Sequence, residues 1–191
     1  MRKTISNFGR KTIVLGAVAL VALAPAAVAL AGNITATATV TGAGSLGLSH
    51  GATATASSIT LDGTDQTATY TLPLSITDAR GNGSGWNATI TSTTFDAGSG
   101  HTLATSASSV SGVTSSCVAG GSCTAPTNAI AYPLTVPAGA TAPAALKVFN
   151  AAANTGMGRF TITPMIGVAV PGNSFAGTYT STVTVAVVSG P

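Results

Sequence analysis

The sequence predicts an all-β fold, a single sandwich-like domain that follows an export signal. Short segments rich in Thr, Val, Ile and Tyr alternate between apolar and polar residues, which is the pattern of strands with one buried face. Clusters of Gly, Ser, Asn and Pro separate these segments at the spacing of turns. Many short strands joined by turns, without a clear helical segment, are typical of two stacked sheets.

The N-terminus carries the features of a secretory signal peptide. Four cations precede residue 12, the apolar run 13–24 follows them, and Ala29-Leu30-Ala31 provides the small residues of a cleavage site. We therefore assign residues 1–31 to the signal and residues 32–191 to the all-β domain.

An uncleaved membrane anchor is the alternative interpretation of this segment. Residues 12–31 are uncharged and just long enough to span a bilayer. Pro25 interrupts the run, and its apolar part alone is too short, which favours the signal peptide. No second apolar stretch of that length follows. We therefore expect a secreted protein without a membrane span after cleavage.

The alternating pattern predicts the strands of the domain in chain order. Residues 144–153 are ambiguous, because their alanines favour helix and Val148-Phe149 favours strand; we expect strand or irregular structure there. Residues 97–126 are biased to small and polar residues and predict one long loop or a ragged edge hairpin. The alternating segments are 33–40, 66–77, 86–95, 129–136, 159–166 and 178–188.

The two cysteines predict a disulfide inside the 97–126 segment. Cys117 and Cys123 flank a short stretch whose central Gly120-Gly121 suits a tight turn, and an exported protein meets an oxidising compartment. The spacing is not C-x-x-C, and no nearby cation lowers a thiol pKa, which argues against a redox site. No histidine is close in sequence, which argues against metal binding.

The charge distribution excludes a nucleic-acid partner. The chain of 191 residues has a net charge of +3 and only 6% charged residues. Four of its seven basic residues lie in the signal segment, so three basic residues face four aspartates in the rest, a net charge of −1. No basic surface remains to neutralise phosphates.

Three segments carry a resemblance to a known family. Residues 77–88 read TDARGNGSGWNA, residues 147–158 read KVFNAAANTGMG, and residues 179–191 read YTSTVTVAVVSGP. Taken as a set, they resemble the WxL surface-protein family of Gram-positive bacteria, with its D-x-R-G-x-G-x-G-W element, its A-A-x-N-T-G-x-G stretch and its closing Y-x-x-x-[LIV]-T-W-x-L-x-x-x-P. The order and approximate spacing agree over residues 33–191. One of the two W-x-L tryptophans is present, as Trp86, and Val185 replaces the second.

The resemblance implies a protein that attaches non-covalently to the peptidoglycan of the cell wall, with membrane-anchored surface proteins as further partners. It also implies which residues bind the wall or hold the motif together. These are Asp78, Arg80, Gly81, Gly83, Gly85, Trp86, Asn87 and Tyr179.

Trp86 admits two interpretations. It is either a core residue beneath a glycine turn, as in other sandwiches, or an exposed platform for a sugar ring with Asn82 and Asn87 as hydrogen-bonding neighbours. The core interpretation is favoured, because Val185 preserves an apolar inward face but cannot act as a second stacking surface.

The sequence predicts no enzyme, no cofactor and no metal site. His50 and His101 lie in Gly/Ser-rich loops without a partner at metal spacing, and Asp62-Gly63-Thr64-Asp65 lacks the later acidic ligands of a calcium loop, which favours a turn. No serine lies in G-x-S-x-G. Four dispersed aspartates and no glutamate are a poor source of paired carboxylates for glycan hydrolysis.

Two functions remain open. The first is a cell-wall-associated binding module on the cell surface. The alternative is a structural surface protein, such as an adhesin or fibre subunit, that assembles through strand edges without charged gatekeeper residues.

Overall fold

A computed structural model describes residues 35–42 and 44–191 of the chain; the predicted signal peptide lies outside the described residues. Within them the chain forms ten strands and no helix, which confirms the all-β prediction. Residues 39–191 form one compact unit. The strands are β1 (Leu46–His50), β2 (Gln66–Thr71), β3 (Leu74–Asp78), β4 (Trp86–Thr93), β5 (Ser108–Cys117), β6 (Leu134–Thr135), β7 (Ala138–Gly139), β8 (Leu146–Ala151), β9 (Gly158–Val170) and β10 (Val183–Ser189).

The strands form two sheets around the long strand β9 and the strand β4. The first sheet has the order β1-β3-β9-β5-β6. β2 and β3 pair with successive parts of the same edge of β9. The second sheet has the order β10-β4-β7, with β8 antiparallel on β4. The pairings are antiparallel except for the short parallel pair of β4 and β7. This is a sandwich-like arrangement whose two sheets pack face to face.

The inner faces of the two sheets bury two neighbouring apolar clusters. Alternation along β9 produces this burial, because every second residue from Phe160 to Val168 faces inward and is buried. The first cluster contains Ala68, Ile90, Leu103, Ala107, Val110, Val136, Val148, Ile166 and Val168. The second contains Leu74, Ile76, Trp86, Ala88, Phe149, Ala151, Phe160 and Ile162.

The outer edge of β8 is covered by the segment 128–132, which lies between β5 and β6 in the chain. Asn128 Oδ1 accepts a hydrogen bond from the backbone N–H of Asn150 at 3.0 Å, and Asn150 Oδ1 accepts one from the N–H of Ala129 at 3.0 Å. Tyr132 donates its hydroxyl to the carbonyl of Val148 at 2.5 Å. These side chains satisfy backbone groups that another strand would otherwise pair with.

Most predicted strands are present, and two predictions are wrong. Segment 66–77 forms β2 and β3, and segments 86–95, 159–166 and 178–188 contain β4, most of β9 and most of β10. In contrast, the described part of 33–40 is exposed and forms no strand, and 129–136 contributes only β6. Polar groups of the 129–136 segment form hydrogen bonds with β8, so most of this segment does not pair as a strand.

Besides the two-residue strand β7, two strands lie outside the segments predicted as strands. β1 is short and interrupted by glycine, so its alternation is weak. β5 lies in the 97–126 segment and is composed mainly of Ser, Thr and Gly. It forms because β9 and β6 supply backbone partners on both of its sides, which is a tertiary effect.

The cysteine pair has the geometry predicted for it. Cys117 ends β5, and the Cα atoms of Cys117 and Cys123 are 6.1 Å apart with their sulfur atoms within bonding distance. The bridge therefore closes a loop of the predicted size at the end of β5, and Cys123 packs against the second apolar cluster.

Among the described residues, no helix is long and apolar enough to cross a membrane.

Candidate functional site

Three of the segments singled out in the sequence meet at one end of the sandwich. We call this region the motif corner; it consists of residues 78–87, 151–158 and 189–190. The end of β3, the start of β4, the start of β9 and the end of β10 all lie there, because Trp86 pairs with both Ala151 and Ser189 while Asp78 pairs with Gly158.

Asp78 and Arg80 form a shielded ion pair at this corner. Their side chains are 1% and 8% exposed, and Arg80 donates to both carboxylate oxygens at 2.8 Å. Arg80 also donates to the carbonyl of Gly85 at 2.7 Å and to the hydroxyl of Ser189. The hydrogen bonds from Arg80 hold the pKa of the Asp78 carboxyl below its ordinary value of 3.8. One guanidinium thus joins β3, the glycine turn and the C-terminal strand.

The turn between β3 and β4 depends on glycine. Gly81, Gly83 and Gly85 all have positive φ, at 70°, 64° and 67°. A Cβ on Gly85 would lie 2.4 Å from the carbonyl oxygen of Ala151, so any larger residue would push the turn away from β8. On the neighbouring turn, Asn154 donates its N–H to the carbonyl of Gly83 at 2.7 Å.

Trp86 lies in the core of the motif corner. Its side chain is fully buried, and its ring centroid is 5.6 Å from that of Phe149. Its Nε1–H donates to the carbonyl of Gly156 at 2.8 Å. A Cβ on Gly156 would lie 2.6 Å from that nitrogen, so glycine is required for the close approach. A ring in this position cannot stack on a sugar.

The asparagines that flank the turn have different environments. Asn87 is buried and donates its side-chain amide to the carbonyl of Gly190 at 2.8 Å, which fixes the chain after β10. Asn82 is exposed, and its Oδ1 accepts the N–H of Ser84 at 3.1 Å within the turn.

The position of the second W-x-L tryptophan lies on β10. Val185 pairs with Ile90 of β4 and packs against both apolar clusters. The smaller side chain therefore keeps its inward orientation, as the pattern of the sequence indicates.

Tyr179 does not join the other motif residues. It lies before β10, at the end of the sandwich opposite the motif corner, because Val183 pairs with Ser92 near the far end of β4. With β4 eight residues long, the two ends are roughly 20–25 Å apart.

Tyr179 instead belongs to an aromatic patch, which we define as His101, Leu103, Phe175 and Tyr179. Phe175 is 62% exposed, and its ring stacks on that of His101 with centroids 3.8 Å apart. The Tyr179 hydroxyl donates to the carbonyl of Phe175 at 3.0 Å. The patch lines an open cavity of about 230 Å³.

Sequence reasoning missed Phe175, and it considered His101 only as a metal ligand, a role that it disfavoured. A usable signal was present, namely a large apolar residue inside the Gly/Asn/Ser-rich stretch at residues 171–178, where a buried side chain is not expected. The contact between His101 and Phe175 joins residues 74 positions apart and had no such signal.

The other acidic candidates serve turns. Asp62 accepts hydrogen bonds from the N–H and hydroxyl of Thr64 at 2.9 and 2.7 Å, which lowers the pKa of its carboxyl. In the part of the chain that the structure describes, no three His, Cys, Asp or Glu side chains come together as metal ligands would.

Fold and site together define an all-β domain of two packed sheets in which a D-x-R-G-x-G-x-G-W element forms the motif corner. A family model described as "WxL domain surface cell wall-binding" matches residues 31–191. The chain therefore belongs to the WxL domain family, which confirms the resemblance seen in the sequence. The chain matches none of the curated proteins and none of the solved structures.

Proposed function

We propose that the protein is secreted and acts as a non-enzymatic surface domain that associates non-covalently with the peptidoglycan of the cell wall. The observation that carries this proposal is the match to a surface cell wall-binding family over residues 31–191. In this proposal residues 1–31 direct export, residues 32–191 bind the wall, and membrane-anchored surface proteins are additional partners.

The positions of the aspartates support a role without catalysis. Asp78 is paired with Arg80, and Asp62 and Asp96 accept hydrogen bonds from the turns that they begin. Asp65 accepts the N–H of Gly172 at 2.9 Å. Each of the four carboxylates thus accepts a hydrogen bond that holds part of the fold.

The internal contacts of the motif corner support a structural role for most of the motif. Asp78, Trp86 and Asn87 are buried, and Arg80 is nearly buried. Asp78 and Arg80 pair with each other. Trp86 and Asn87 donate hydrogen bonds to the carbonyls of Gly156 and Gly190. We propose that these residues hold the domain together, and that wall contact is made by other parts of the surface.

Sedimentation with purified peptidoglycan tests the proposed function. We expect the purified protein to pellet with insoluble wall fragments and to stay in the pellet when salt is raised. A protein that remains in the supernatant at every wall concentration would overturn the proposal.

Trp86→Ala separates the structural role from wall contact. Removing a fully buried tryptophan costs about 3–5 kcal/mol, so we expect loss of the folded state measured by circular dichroism. A folded variant that no longer pellets with the wall would instead assign Trp86 to binding.

Assembly through strand edges is a second candidate function. One terminal strand of each sheet, β1 in the first and β10 in the second, contains no charged residue, and charged residues are a common protection of such edges. Ala186 is exposed on β10, so Ala186→Lys would add a protective charge. If the protein assembles in this way, this variant elutes as a monomer at concentrations where the unchanged protein elutes as a larger species. A strictly monomeric unchanged protein would exclude this candidate.

A further inference from the structure

We infer that the aromatic patch is the site at which the domain binds an uncharged glycan chain of the cell wall. This inference rests on the proposed function and assigns the contact to a particular surface. It places the site at the end of the sandwich opposite the motif corner.

Phe175 is the observation from which the inference starts. Its side chain is 62% exposed, while the other aromatic side chains that the structure describes are buried or half-buried. Because the half-buried rings of His101 and Tyr179 adjoin it, Phe175 is part of a contiguous apolar surface, and such surfaces mark interaction sites. The C–H face of a sugar ring is a suitable partner, since it can lie flat on an aromatic ring.

The ring is held in place without a ligand. Its loop is tied by the N–H of Gly172 to Asp65 Oδ1 at 2.9 Å and by the N–H of Ser174 to the carbonyl of Pro171 at 3.0 Å. Tyr179 bonds the carbonyl of Phe175, and His101 stacks on the Phe175 ring. A surface ordered in advance loses little entropy on binding, which raises its affinity.

The loop that carries His101 is ordered as well. The N–H of Ala97 donates to the carbonyl of His101 at 2.9 Å, and the N–H of His101 donates to the carbonyl of Gly98 at 3.0 Å. Gly98 in turn donates its N–H to Asp96 Oδ1 at 2.7 Å. The stacked rings of His101 and Phe175 therefore come from two separately fixed loops.

The cavity beside Phe175 has the size and lining for part of an elongated ligand. Its volume of 230 Å³ is below the about 300–1,000 Å³ typical of pockets that enclose a whole small molecule. Thr102, Asn173 and Ser174 line it together with the apolar members of the patch. Hydroxyl and amide groups beside a ring match the alternating polar edges and apolar faces of a sugar chain.

The distribution of charge selects an uncharged glycan over an anionic wall polymer. No Lys, Arg, Asp or Glu lines the cavity, and Asp65 and Asp96 lie in the flanking loops. The cations of the described residues lie elsewhere. Arg80 is paired with Asp78, Lys147 donates to the carbonyl of Pro191 at 2.9 Å, and Arg159 follows the first residue of β9. A phosphate-rich polymer would find no Lys or Arg at the patch.

Two variants and a control test the assignment by sedimentation with peptidoglycan freed of anionic polymers. Phe175→Ala removes the exposed ring, and we expect about a tenfold loss of retained protein. Phe175→Tyr keeps an aromatic ring, adds no second tryptophan, and should lose less binding than Phe175→Ala. Met165→Ala is the control, because Met165 is an exposed apolar residue, 43% exposed, on β9 away from the cavity. The fluorescence of the buried Trp86 reports whether each variant is folded.

A titration of the unchanged protein gives an independent measurement. We expect the tetramer of β-1,4-linked N-acetylglucosamine to shift the NMR signals of residues 98–104 and 171–179. Shifts confined to the motif corner, or no shifts even at a large excess of the tetramer, would overturn the inference. This holds even if Phe175→Ala fails to fold.

The outcomes separate the inference from the function on which it rests. If the unchanged protein does not pellet with peptidoglycan, the proposed function fails. If it pellets and the folded Phe175→Ala variant pellets equally well, the proposed function stands and this site is wrong. If Phe175→Ala changes only the oligomeric state, the patch is an interface between copies of the chain and the inference is also wrong.

Discussion

At the scale of single residues, the close approach of Gly156 to Trp86 shows why a glycine and a tryptophan far apart in sequence depend on each other. Gly156 has a φ of +69°, and an added Cβ would lie 2.4 Å from the Cβ of Ala151. Both backbone strain and steric overlap therefore oppose any other residue at this position.

Gly156→Ala tests this dependence against a matched control. We expect a loss of about 2–5 kcal/mol in the free energy of unfolding, from strain and overlap together. Gly120 also has a positive φ, +85°, but open space around its added Cβ, so Gly120→Ala should cost only about 1 kcal/mol. Urea unfolding followed by Trp86 fluorescence measures both. Equal losses would show that the contact with Trp86 has no energetic role.

The pair of Asp78 and Arg80 predicts loss of stability in acid. Because hydrogen bonds from Arg80 lower the pKa of Asp78 in the folded state, the unfolded state takes up its proton first as the pH falls. The stability due to the pair is complete above the unfolded pKa of 3.8 and is lost as the pH falls through the folded pKa.

Asp78→Asn is the variant that reports this effect. We expect it to be less stable than the unchanged protein at neutral pH, because Arg80 loses a charged partner in a shielded site. Its free energy of unfolding should also change less between about pH 6 and about pH 2.5. Asp62→Asn, in an exposed turn, should leave most of the acid dependence in place. An unchanged acid dependence in Asp78→Asn would contradict this account.

At the scale of elements, the loop between Cys117 and Cys123 lies just beyond the end of β5. Closing a loop with a sequence separation of 6 restricts the unfolded chain only modestly. The double variant Cys117→Ser/Cys123→Ser should therefore lose about 2 kcal/mol in the free energy of unfolding and keep its β-sheet circular dichroism spectrum. Complete unfolding of the double variant would show that the bridge supports the sheets themselves.

The elements also show what the sequence could predict. The alternating sequences of β4 and β9 were enough to identify both strands. In the structure β9 buries one face, whereas β4 buries most of its residues on both faces. β5 was missed because its partners on β9 and β6 are distant in sequence, and its serines give no apolar stripe. Residues 35–40 have the alternating pattern without a strand, so the pattern alone does not supply a partner.

The same distinction applies to the candidate site, where contacts between neighbours in the chain were predicted and contacts made by the fold were not. The motif residues from Asp78 to Asn87 lie together because they are adjacent in the chain, and the sequence was enough to group them. Tyr179 was grouped with them through the family pattern, but β10 carries it to the other end of the sandwich. The contact of Phe175 with His101 arises only from the fold and left no pattern in the sequence.

At the scale of the whole molecule, the scarcity of charge predicts how wall association responds to salt. Beyond residue 12 three basic residues face four aspartates, and one pair of these is shielded at the motif corner. Raising salt from about 0.05 M to about 1 M should change retention on peptidoglycan less than twofold, because few charges are available for screening. A steep decline with salt, measured by sedimentation, would indicate an ionic mode of attachment instead.

The separation of the motif corner from the aromatic patch has an evolutionary consequence. Mutations in residues 97–104 and 171–178 leave the Asp78, Arg80 and Trp86 contacts untouched, because those contacts lie at the far end of β4. One end of the molecule is thus free to diversify toward new ligands while the other preserves the shared architecture, much as antibody domains vary their loops on a fixed framework.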